Sequence, residues 1–255
     1  MTLALAIILI ILIFLICGDK GTRSIVSVIL NAALLLLALF LIYRGAPPVP
    51  VTLLTCVAAS AITLYYPEDR GDSDGAVKTH AAFLSVLIVM AVMIPVVFFF
   101  ADHANAAGFN PEAYETTDSN GYTRNIGVSM LSLYISVMFI ALIGTVTDTA
   151  VAITSSVQEI RNNNRSLSPG ELLASSFVVG RSVLSTSIHT IFYIYIAEYL
   201  TLMIQYISDY SFAYVINSKS LAHELIAVSV SGMGCCLVVP VAALISARMT
   251  RDTRA

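Results

Sequence analysis

The stretch ALIGTVTDTAVAITSSVQEIRNNN, from Ala141 to Asn164, begins inside a long apolar run and ends in a polar one. It carries one carboxylate in its apolar part, Asp148, between Thr147 and Thr149. The run that holds it extends over residues 127–159, and about 20 apolar residues are enough to cross a hydrocarbon core of roughly 30 Å as a helix. An acid at the centre of such a helix costs about 2.5–3.5 kcal/mol on insertion scales. This stretch therefore places the chain in a membrane and asks why an acid is kept there.

The composition extends that reading to the whole chain. Of 255 residues, 58% are hydrophobic and 11% charged, where a soluble domain carries about a quarter charged. Seven apolar segments follow one another at 2–17, 24–43, 49–66, 80–101, 127–159, 172–200 and 221–247. The expected fold is an all-α, polytopic transmembrane helix bundle in a single membrane domain over 1–255. It has about seven spans, or six if the short first segment lies at the interface. That first segment has neither a positive n-region nor a small-residue cleavage site, so it reads as an uncleaved helix. The connectors at 66–80 and 101–125, rich in Gly, Asp and Pro, read as hydrated loops. Cys17, Cys56, Cys235 and Cys236 fall in apolar segments or at their ends, without metal spacing, and read as buried small hydrophobes.

The basic residues set an orientation. With the C-terminal tail inside and seven crossings, Lys20, Arg23, Arg70, Lys78, Arg161, Arg165, Arg248, Arg251 and Arg254 share the cytoplasmic side. Arg44, Arg124 and Lys219 fall outside, and Arg181 lies within a helix. This bias predicts an outside N-terminus and a cytoplasmic C-terminus in a plasma membrane.

The fifth and sixth segments are too long for simple spans, since 127–159 reaches about 50 Å at 1.5 Å per residue. They are expected to project into the cytoplasm as a hairpin turning near NNNRSLSPG, with Ser168, Pro169 and Glu171 starting the second helix. Treating residue 166 as a mirror puts Asp148 level with about Leu184. Arg181, Ser185, His189 and Tyr193 share one face of the second helix, and Gly144, Thr145, Asp148, Ala152 and Ser155 one face of the first. Small faces let helices approach in lipid, and polar ones bond across. Asp148, Arg181, His189, Thr145 and Ser185 thus form a candidate ion, proton or substrate site. Histidine titrates near neutral pH, which suits a relay. An Asp148–Arg181 pair that merely fixes helix register is the other reading of the same residues. Gly144, Gly180, Gly232, Gly234 and Pro240 are candidate helix-packing positions.

Other classes find little support. His223-Glu224-Leu225 begins like a zinc-protease motif, but residue 227 is Ala where H-E-x-x-H needs its second ligand. There is no G-x-S-x-G, no phosphate loop and no dinucleotide motif, so neither an enzyme nor a bound cofactor or metal is expected. No basic patch beyond the tail suits nucleic acid. Tyr193, Tyr195, Tyr199, Tyr206, Tyr210 and Tyr214 read as an outer aromatic belt, with Glu198 at the same boundary. Asp102, His103, Glu112, Glu115 and Asp118 read as solvated loop charge.

Three quoted stretches carry a family resemblance: GTVTDTAVAITSSVQEI, ELLASSFVVGRSVLSTSIHTIFYIYIAEYL and INSKSLAHELIAVSVSGMGCCLVVPVAALIS. Their features are Gly144 with Asp148, Gly180 with Arg181, Thr186 and Thr190, Asn217 with His223 and Glu224, and Gly234 before Val239 and Pro240. Together they resemble the C-terminal half of YibE/F-like bacterial membrane proteins. His189 stands where the pattern has Asn, and Lys219 where an acid is commoner. The resemblance implies a membrane subunit with a YibE-like partner, or a homo-oligomer. The Asp148 stretch is also similar to a proton-conducting helix of SecF-type permeases, which implies transport by analogy.

Overall fold

The computed structural model describes residues 2–68, 73–104 and 128–252, and among these every regular element is a helix. They are α1 (Thr2–Tyr43), α2 (Pro48–Tyr65), α3 (Ser73–His103), α4 (Met130–Asn163), α5 (Pro169–Asp209), α6 (Phe212–Ile216) and α7 (Lys219–Asp252). Six of them contain a stretch long and apolar enough to cross a bilayer. The bundle is polytopic and all-α.

α1 is two helices joined by a sharp bend. Gly18 sits at φ 55° and ψ −133°, a backbone conformation that L residues with a Cβ avoid. The leg before it contributes only the short apolar helix Ile7–Gly18, and the span begins at Gly21. The described residues thus hold six candidate spans and one shorter apolar helix before them. α1 ends in a Schellman turn: Gly45, at φ 97°, donates to the Ile42 carbonyl and Ala46 to that of Leu41. Pro47 and Pro48 then start α2 where a missing N–H costs nothing.

α4 is the hub, packed against α2, α3, α5 and α7. Half of the residues in its span are buried, and Met138, Phe139, Leu142, Val146, Ala150 and Ile153 are fully enclosed. Tyr134 ties it to α7 by donating to the His223 carbonyl at 3.2 Å. α5 is the opposite case, with 6% of its span buried. A helix so little covered by its own chain faces lipid or another protein.

The turn between α4 and α5 forms where the sequence predicts it. Ser168 and Glu171 make a reciprocal capping box: Glu171 Oε2 accepts from the Ser168 N–H at 2.8 Å, and Ser168 Oγ accepts from the Glu171 N–H at 3.4 Å. Arg161 clasps the turn by donating to the Leu167 carbonyl at 2.8 Å. Ser168→Ala is expected to cost about 1 kcal/mol, seen as a lower unfolding midpoint in detergent with unchanged membrane abundance.

Some expectations change. α3 begins at Ser73, so much of the 66–80 connector is helical; Lys78 there pairs with Glu68 at 3.5 Å. A short helix, α6, caps the α5–α7 connection, its Ser211 hydroxyl accepting from the Tyr214 N–H. Cys56 and Cys235 are buried as expected, but Cys17 and Cys236 are exposed. Glu112, Glu115 and Asp118 lie outside the described residues.

Candidate functional site

Two close contacts fix the level of α4 against α5. A Cβ at Gly180 would lie 3.4 Å from Ile153 Cδ1, and Thr149 Oγ1 lies 3.5 Å from Ser187 Oγ. These place Asp148 level with Ser185 and its next neighbours, close to the depth that the mirror register predicts. The facing surfaces are different. Successive helical residues are rotated by about 100°, and it is Thr149 and Gly180 that point into the α4–α5 seam. Asp148 and Arg181 are one residue round from it, each exposed. Among the described residues no ion pair joins Asp148 to Arg181.

Asp148 instead opens into a groove of about 290 Å³ between α1, α2 and α4. Its polar lining is Asn31, Thr55, Ser60, Thr63 and Thr147. Asn31 Nδ2 donates to Thr63 Oγ1 at 2.8 Å, while Asn31 Oδ1 is buried with no hydrogen-bond partner. Ser27 Oγ donates to the Ile62 carbonyl at 3.3 Å, so a polar seam runs along α1 and α2 towards the acid. Sequence reasoning missed this wall. Its signal was Ser27 and Asn31, four residues apart in an otherwise apolar run.

The other predicted site residues go elsewhere. Thr145 is half-buried towards α7, its carbonyl accepting from Cys235 Sγ at 3.7 Å. Thr149 donates to that same carbonyl at 2.9 Å and lies 3.5 Å from Cys235 Sγ. Ser185 and His189 are exposed on α5, and His189 Nδ1 donates to the Ser185 carbonyl at 2.7 Å. A carbonyl can only accept, so Nδ1 carries a proton in this contact. The structure therefore divides the predicted constellation into an acid in a groove and a basic, hydroxylated face on α5.

The packing positions also divide. A Cβ at Gly180 would meet Val239 Cγ1 at 2.7 Å, and one at Gly234 would collide with Leu142 Cδ1 and meet Val146 Cγ2 at 2.9 Å. Gly144 and Gly232 have nothing within 4 Å of that position. Gly144 lines the Asp148 groove, and Gly232 lines an apolar groove of about 570 Å³ with Met93, Ile188 and Phe192. Pro240 sits inside α7, which continues through it.

No curated protein matches the chain, and no solved structure does. A family match covers nearly all of it, from residue 5 to residue 252. With six apolar helices, an acid in a polar groove and a match of that extent, this multi-pass membrane protein belongs to the YibE/F-like protein family.

Proposed function

We propose that the chain is a permease or transport subunit of a bacterial plasma membrane, with Asp148 as its ion- or proton-coupling group. The observation that supports this is the groove: a carboxylate with no ion-pair partner among the described residues, beside an amide and four hydroxyls contributed by three helices. Carboxylate, amide and hydroxyl oxygens are the groups that replace water around a proton or small cation at membrane depth. The distribution of basic residues favours a cytoplasmic C-terminus, with residue 21 on the same side after six crossings. An outside N-terminus then requires the short first helix to cross as well.

The test is flux. Purified full-length protein in proteoliposomes, loaded at one pH and diluted into another, is expected to speed proton equilibration above the protein-free rate. Separate runs with Na⁺ or K⁺ inside identify a coupled cation. Rates equal to those of empty liposomes under every gradient would overturn the proposal.

A second reading, a non-transporting subunit that assembles with a YibE-like partner, is favoured by the outward polar face of α5. It predicts no flux and a membrane abundance that depends on that partner.

A further inference from the structure

The face that α5 leaves uncovered is unlike a lipid-facing surface. Arg181 and Ser182, then Ser185 and Thr186, then His189 and Thr190 recur at four-residue spacing, and all six are exposed. Pairs at i and i+4 stack on one side of a helix, so these groups form one polar stripe about two and a half turns long. Gly180, beside it, turns inward against Val239 and Ile153, which directs the stripe away from the bundle. Thr186 and Thr190 return their hydroxyls to the Val183 and Thr186 carbonyls of their own helix. Arg181 and His189 stay exposed beside them, His189 Nδ1 resting on the Ser185 carbonyl.

The same chain presents the complementary group on its other side. Asp148 is exposed at the rim of the α1–α2–α4 groove, at the level of residues 185–188 of α5. Two copies inserted the same way in one bilayer lie at the same depth. A stripe from one copy laid on the groove of the next therefore brings Ser185 and His189 opposite Asp148. Arg181 follows one turn nearer the α4–α5 turn, about 6 Å along the axis and within reach of its long side chain. Hydroxyl-rich faces allow the backbones to come close. Two α5 stripes placed face to face would instead set Arg181 against Arg181, a repulsive arrangement.

We propose that the site is completed between copies: the Arg181–His189 stripe of one protomer seats in the Asp148 groove of a second copy of this chain. The contact joins two different surfaces, so it propagates and closes into a ring if the rotation allows. It rests on the reading of Asp148 as the site, and it supplies a charge partner where Asp148 has none among the described residues.

The test uses the full chain in native membranes. Ser185 is replaced by photoreactive benzoylphenylalanine in a copy bearing one tag, which is co-expressed with a second copy bearing another tag. Irradiation is expected to give a product with both tags, its adduct mapping to residues 31–63 or 140–148 of the second copy. Asp148→Arg in that second copy is expected to reduce the product several-fold at equal abundance, because it faces Arg181. No product with both tags, an adduct within 169–209 of the second copy, or adducts only with a different protein would overturn the proposal. The two readings fail separately. Dual-tagged product with flux that survives Asp148→Asn removes the transport reading alone. Flux abolished by Asp148→Asn without dual-tagged product removes the interface alone.

Discussion

Asp148→Asn is expected to reduce proton or cation flux in proteoliposomes to the protein-free background, with membrane abundance and unfolding midpoint unchanged. Asn has nearly the volume of Asp and keeps a carbonyl oxygen towards Asn31, Thr63 and Ser60 in the groove. It cannot take up or release a proton, and it carries no charge for a cation. Inserting an amide at this depth is easier than inserting a carboxylate, so the variant has no reason to fold less well. A structural role predicts the reverse pattern, with abundance falling. A variant with full flux and full abundance would show that the acid is not the coupling group.

Gly234→Val is expected to have the largest effect on assembly. The position faces Leu142 and Val146, both fully buried on α4, and α4 and α7 form the most extensive helix pair of the bundle. Forcing extra carbons into a packed core costs about 1–3 kcal/mol, and more where the neighbours cannot move. Here a first carbon already collides with Leu142, and valine adds two more. Gly180→Val is expected to be milder but of the same sign, since a Cβ there meets one side-chain atom closer than 3 Å, Val239 Cγ1, where Gly234 meets two. Gly144→Ala and Gly232→Ala are the controls, because each opens on a groove and should leave the unfolding midpoint unchanged. Fluorescence-detected size exclusion in detergent, with thermal ramps, separates the four. Equal midpoints for Gly234→Val and Gly232→Ala would contradict the packing described.

Much of the bundle is legible in the sequence because lipid leaves few alternatives. Backbone polar groups in hydrocarbon must be satisfied within the segment, so a run of 20 apolar residues has to be a helix. The α4–α5 turn is legible for a different reason, the short-range chemistry of Ser168, Glu171 and Arg161. Depth is legible too: a tight turn with two helices of fixed rise leaves Thr149 beside Ser187.

Helix rotation is not legible in the same way. Asp148 and Thr149 differ by one position and about 100°, and in a run apolar on nearly all sides nothing says which of them meets the next helix. The structure gives that place to Thr149, whose hydroxyl bonds the backbone of α4 and lies against Cys235. The acid is turned towards α1 and α2, more than 80 positions away in the chain. That distance also hides Asn31 and Thr63 as its neighbours: the packing of α1 on α2, and of α2 on α4, brings them there. The first helix shows the same limit. Its apolar run is plain, but the bend at Gly18 depends on one residue's positive φ.

Coupling through Asp148 requires it to be a reachable acid that exchanges its proton. Hydrophobic carbodiimides react with protonated carboxyl groups within membranes, and the adduct can be located by mass spectrometry of the full-length chain. The prediction is modification at Asp148 in native membranes that slows as pH rises, is slowed again by the coupled cation, and is absent at that position in Asp148→Asn. An Asp148 that stays unmodified at every pH, while other carboxyls of the same molecule react, would contradict it.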